Sequence, residues 1–162
     1  MGIAVSAKLK YLLKILALVA STSVLSSAYA EEPKQSAVAG SEAAAKDAQR
    51  AQELLAKAVT AYRQQGDKAF AAFNAPGEFV DGELYVWVLG TDGVMLASGG
   101  SSSALIGRNV TNMRDASGAP FFAEMLEKAK TAKTGVVEYR WLNRQHNKPE
   151  RKVTYFQKVG ER

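Results

Sequence analysis

Between Glu83 and Gly99 the chain reads ELYVWVLGTDGVMLASG, and this stretch narrows the choice of fold more than any other. In an extended chain Tyr85, Trp87 and Leu89 fall on one side, and Val86 and Val88 on the other. Asp92-Gly93 supplies a tight reversal, and Val94 to Ala97 resumes as a second strand. The same pattern returns near the end of the chain, where Val136 to Leu142 and Arg151 to Val159 flank a polar loop around His146, the single histidine. Two hairpins imply an antiparallel sheet, and such a sheet buries at least one face under another layer.

The covering layer lies upstream. Ala44, Ala48, Ala51, Leu55, Ala58 and Tyr62 step by alternating four and three, which makes them one stripe of a helix capped by Ser41 and ended by Gly66. Lys46, Arg50, Lys57 and Arg63 fall mostly outside that stripe, on a solvated face. With one leucine in about three heptads the repeat is too weak to sustain a coiled coil alone. Its alanines suit close packing on a sheet, with Leu55 as the bulkiest contact. A short helix from Asp67 carries Phe70 and Phe73 until Asn74 to Gly77 breaks it. Pro120 opens another, through about Ala132, with Phe122, Met125, Leu126 and Ala129 inward and Gly135 as its stop. The expected class is α+β.

Residues 1–30 have the order of a secretory leader: Lys8, Lys10 and Lys14, then an apolar run from Ile15 to Leu25, then small residues at Ala28 and Ala30. A spanning helix wants about 20 apolar residues, and this run is much shorter. The expectation is cleavage after Ala30, a lead-in without regular structure over residues 31–40, and one domain over residues 41–162, periplasmic or secreted and with no membrane span in the mature chain. The full chain carries 21 Lys and Arg against 16 Asp and Glu; the leader holds three of the cations, leaving 18 against 16. That balance provides no field for nucleic acid. The absence of cysteine excludes thiol chemistry and thiolate metal sites, and one histidine excludes a histidine-rich metal centre. No cofactor motif is present, and the Ser, His and acidic residues form no catalytic constellation.

The blocks GEFVDGELYVWVLGTDGVMLASG, LIGRNVTNMRDASGAPFF, GVVEYRWLN and KVTYFQKVG, in that unbroken order, resemble the single Cache domain, an extracytoplasmic sensing module of bacterial chemoreceptors and histidine kinases. The resemblance spans about residues 50–160. It implies a PAS-like antiparallel sheet with the long N-terminal helix on one face and a ligand pocket between the other face and the overlying loops. It also implies small ligands, short-chain carboxylates among them, and a membrane receptor or kinase as signalling partner. Two departures stand out. Asn143 is followed by Arg144 where the family often has Asn-Pro, and the family pattern runs past KVG into a further strand while this sequence stops at Arg162. The expectation is either a truncated chain or a sheet lacking an edge strand, which would leave an open pairing edge.

Several side chains are candidates for such a pocket. Tyr85, Trp87, Tyr139, Trp141 and Tyr155 bring amphipathic rings from three strands, and rings of this kind either pack a sheet face or enclose a polar ligand. Arg140 and Lys152 neighbour them, and one of the two is expected to hold a carboxylate. Arg114 and Asp115 sit on the Gly/Ser-rich excursion over residues 99–120, where a loop would close over the ligand. The alternative is a protein-interaction module whose free sheet face docks a membrane sensor. Neither reading involves catalysis.

Overall fold

The computed structural model describes residues 1–8, 34–143 and 147–160. Their order is β1 (Gly2–Lys8), α1 (Lys34–Gln65), α2 (Ala69–Asn74), β2 (Val80–Asp81), β3 (Leu84–Leu89), β4 (Met95–Ser98), α3 (Phe121–Thr131), β5 (Thr134–Asn143) and β6 (Lys148–Lys158). All strands join one antiparallel sheet in the order β2-β3-β1-β6-β5, with β4 also paired to β3. The α+β class with a long helix on one sheet face is therefore the observed architecture.

The centre of the sheet was not foreseen. Gly2–Lys8 is inserted between the two predicted hairpins, pairing Gly2–Ser6 with Tyr85–Leu89 and Gly2–Lys8 with Lys152–Lys158. Strand β6 is thus paired on both sides, and the open edge expected beside it does not exist. Ile3 and Val5 are fully buried, worth about 1.5–3 kcal/mol each at ordinary transfer values. The predicted leader overlaps this strand, and cleavage after Ala30 would separate it from the domain. The remainder of the leader, residues 9–30, lies outside the described residues, as do residues 31–33 of the lead-in and His146.

Two cores sandwich the sheet. On one face Ile3, Val5, Leu84, Val86 and Val88 meet Ala51, Leu54, Leu55, Ala58, Val59 and Phe73. Leu55 faces the sheet as its place in the stripe requires, and Leu54 and Val59 widen the stripe to the breadth normal for a globular helix. The helix begins at Lys34, inside the stretch expected to lack regular structure, so Ser41 is interior rather than a cap. It ends as expected at Gly66, whose φ of 60° is costly for any residue with a Cβ. On the other face Tyr85, Trp87 and Leu89 meet Phe121, Phe122 and Met125 of α3, together with Val137, Tyr139 and Phe156. The alternation read from ELYVWVL divides β3 between the two cores as predicted.

Candidate functional site

The α3 side of the sheet is where polar groups are buried among rings. Strand β5 alternates, turning Val137, Tyr139 and Asn143 inward while Val136, Glu138, Arg140 and Leu142 face solvent. Phe121 stacks on Tyr139 with centroids 4.0 Å apart and planes within 9°, and Trp87 and Trp141 meet Phe122 edge-on. The Tyr139 hydroxyl shares a hydrogen bond with Ser6 Oγ at 3.0 Å and accepts one from Thr154 Oγ1 at 3.2 Å. Burial raises the pKa of this phenol, with Tyr85 adding to the effect against the pull of the two hydroxyls, so it stays protonated. The space among these rings is about 10 Å³, bounded by Tyr85, Trp87, Ser102, Phe121, Phe122, Tyr139 and Trp141. At most one water fits there. The aromatic cluster is packed core and not a ligand enclosure.

Room for a ligand lies next to it. A cleft of about 250 Å³ opens between the β2–β3 turn, the loop after β4 and the strands β5 and β6, bounded by Glu83, Tyr85, Gly100, Ser101, Asn143 and Lys152 among others. Tyr85 forms the wall shared by cleft and core, its hydroxyl 3.1 Å from Ser101 Oγ. Gly100 lies flat on the Tyr85 ring, and a Cβ at that position would collide with ring carbons, so the loop reaches this depth only with glycine there. Lys152 is 4% exposed, and its Nζ stands 5.3 Å from the centre of the Tyr85 ring. Among the described residues no carboxylate pairs with it. A buried ammonium without a counter-ion is costly, and an anion entering the cleft would relieve that cost.

The predicted site residues therefore separate. Tyr85 and Lys152 meet at the cleft. Trp87, Tyr139 and Trp141 support it from the packed cluster. Arg140 is placed differently from the expectation: it lies between Tyr139 and Trp141 in a pleated strand, so its guanidinium points to the opposite, exposed side. Its contribution to the inner architecture is its backbone N–H, which donates to Asp115 Oδ2 at 2.7 Å. Tyr155 also faces away from the cleft, packing on the α1 side beside Val5 and the helix.

Asp115 is buried and works as a clamp. Its Oδ1 accepts from Ser117 N, Ser117 Oγ and Ala119 N at 2.7–2.8 Å, so both oxygens are engaged and the loop is fastened to β5. Burial alone would raise its pKa, but the donors of Arg140, Ser117 and Ala119 outweigh it and hold the carboxyl at about 2 against an ordinary 3.8. Arg114 is exposed and donates to the carbonyl of Gly118 at 2.9 Å. These two residues shape the loop and do not line the cleft. Sequence reasoning missed Ser101 and Asn143. Asn143 had a legible signal, since it continues the alternation of Val137, Tyr139 and Trp141. Ser101 had only the composition of GGSSS after β4.

Comparison with known proteins follows the fold. The profile of the family described as Single Cache domain 2 matches residues 32–161. Among solved structures, a methyl-accepting chemotaxis protein from Vibrio parahaemolyticus RIMD 2210633 superposes with a TM-score of 0.53 at 11% identity, covering 78% of this chain and 94% of that one. A periplasmic sensor domain of a chemotaxis protein gives a TM-score of 0.49 at 19% identity, over 79% of this chain and 100% of the other. A Cache chemosensory domain whose structure is described as the basis for carboxylic acid recognition gives 0.48 at 18%, over 80% and 100%. Comparison with curated protein sequences finds no match. With most of its length matched by the profile and the fold shared with a chemoreceptor, this chain belongs to the single Cache domain family of sensory, non-enzymatic modules.

Proposed function

We propose that this domain senses a small carboxylate outside the cytoplasm, taking it in the cleft beside Lys152 and passing the bound state to a membrane receptor or kinase. The observation that carries the reading is the buried ammonium of Lys152, without a carboxylate partner among the described residues, facing a cleft of about 250 Å³ with the hydroxyls of Tyr85 and Ser101 beside it. A carboxylate placed there gains a charge-assisted bond from Nζ and hydroxyl donors for its second oxygen. Volume favours a molecule of a few heavy atoms over a drug-sized one. Glu83 also borders the cleft, so an amino acid with its ammonium toward Glu83 belongs in the same class of candidates. Extracytoplasmic placement rests on the family and on the leader-like pattern from Lys8 to Ala30. Among the described residues no helix is long and apolar enough to cross a membrane.

Titration calorimetry of the full chain with acetate, propionate, lactate and glycine, each beside its neutral amide, tests the class of ligand. The expected result is a carboxylate that binds at least ~10-fold more tightly than its amide, the ratio a charge-assisted bond of 1.5–3 kcal/mol provides. Equal affinity for acid and amide, or no binding by any of them, overturns the reading.

A second reading has its own observation. Val136 and Leu142 are 42% and 44% exposed on the outer face of β5, which is an edge strand of the sheet. Exposed aliphatic residues along an edge suit docking of a protein partner. Pull-down of a co-expressed receptor that survives in wild type but is lost in Val136→Lys/Leu142→Lys would favour it.

A further inference from the structure

Strand β1 stands apart from the rest of the fold in three respects. The match to the family profile begins at residue 32, so the central strand of the sheet comes from outside the matched region. Its first residue lies against the end of β6: the Met1 amino group donates to the Gly160 carbonyl at 2.7 Å, and Val159 N donates to the Met1 carbonyl at 3.0 Å. From there β1 runs antiparallel to β6, from Gly2 opposite Lys158 to Lys8 opposite Lys152. Finally, β1 is joined to the domain only through residues 9–33, whereas both strands beside it belong to the matched region.

We propose that the groove between β3 and β6 is a strand-binding site and that Met1–Lys8 occupies it as a separable strand, held by non-covalent contacts that do not depend on its connection to α1. The groove reads the strand by parity. Ala4 is opposite Trp87 on one side and Phe156 on the other, and only a small residue fits between those rings. Ser6 is opposite Tyr85 and Thr154, is fully buried, and bonds the Tyr139 hydroxyl. Ile3 and Val5, on the alternate positions, enter the core under α1. The segment that fits is therefore extended, with aliphatic residues at the first and third of these positions and small ones at the second and fourth, the last bearing a hydroxyl. Backbone pairing on both sides adds sequence-independent affinity, as in strand addition at a sheet edge. A secretory leader keeps its basic start on the inner side of the membrane. Docking of β1 and use of the same residues as a leader exclude each other in one molecule.

The test uses the full chain with a protease site inserted between Ala30 and Glu31. After cutting, the fragment that begins at Met1 should co-elute with the remainder in native gel filtration, and an excess of a synthetic peptide of residues 1–8 should displace it. Because the apolar run in the fragment can adhere on its own, the same cut is made in Ala4→Leu, where the added side chain meets Trp87 and Phe156. That variant should release the fragment. Separation of the wild-type fragment on cutting overturns the proposal. So does retention by wild type and Ala4→Leu alike, which would mean the fragment is held elsewhere than in the groove.

Discussion

On the α1 side of the sheet, Ile3, Val5, Val86 and Val88 meet Leu54, Leu55, Ala58 and Phe73, and the cluster is apolar throughout. On the α3 side, rings of similar bulk are interleaved with Ser6, Ser98, Ser102, Thr154, the Tyr139 hydroxyl and the Lys152 ammonium, all buried. The first face is specified by volume and parity alone. The second also depends on hydrogen-bond geometry: Ser98 Oγ lies 2.8 Å from Ser102 Oγ, Tyr139 joins Ser6 and Thr154, and Tyr85 joins Ser101. Low dielectric makes such contacts consequential, because any buried polar group left unpartnered is destabilising. The face built with polar groups is also the one that borders the cleft. The proposed recognition therefore falls on this face, where Tyr85 is the wall shared by the cleft and the ring cluster.

Substitutions should separate the two faces. The largest effect is expected for Leu55→Ala on the apolar side, which should cost about 2–5 kcal/mol by denaturant titration, as buried leucine truncations do, with ligand affinity unchanged. An unmoved midpoint would place the helix stripe in solvent. Asp115→Asn, which turns an acceptor into a donor among four donors, should cost about 1.5–3 kcal/mol at neutral pH. Because the Asp115 pKa is depressed in the fold, its contribution is complete above its unfolded value of 3.8 and is lost as pH falls toward about 2. The gap between wild type and Asp115→Asn should therefore be level above about pH 4 and close below it. A gap that persists unchanged to the lowest pH at which both proteins fold would show that another group holds the loop.

Tyr139→Phe should be milder, about 0.5–1.5 kcal/mol, since Ser6 and Thr154 lose a shared partner while the ring stack survives. A loss as large as that of Leu55→Ala would mean that the hydroxyl network organises the whole α3 side. The smallest effect belongs to Arg140→Met, expected to fall within about 0.5 kcal/mol because the guanidinium is on the exposed side of β5.

How much of this was legible follows the range of the interactions. The split of β3, the Asp92-Gly93 reversal, the stripe around Leu55 and the extent of α3 are local patterns, and each appears where its residues predict it. Strand β1 is not local: Gly2–Ser6 pairs with residues about 80 positions away and Gly2–Lys8 with residues about 150 away. Six small or aliphatic residues before Lys8 also satisfy the opening of a secretory leader, so composition favours the other assignment. Arg140 shows a different limit. Proximity in sequence to Tyr139 and Trp141 suggested a shared pocket, but strand parity places neighbours on opposite faces, and the cation that shares the Tyr85 wall is Lys152 from the adjoining strand. Tyr155 fails for the same reason, one residue out of phase with Thr154 and Phe156.

The central claim is that Lys152, not Arg140, is the cation that receives an anionic ligand. Calorimetric titration of wild type, Lys152→Met and Arg140→Met with the carboxylate that binds wild type most tightly tests it directly. The account predicts a loss of at least ~10-fold in Lys152→Met, the worth of one charge-assisted bond, and affinity within about twofold of wild type in Arg140→Met. Undiminished binding in Lys152→Met, or a loss confined to Arg140→Met, would contradict it.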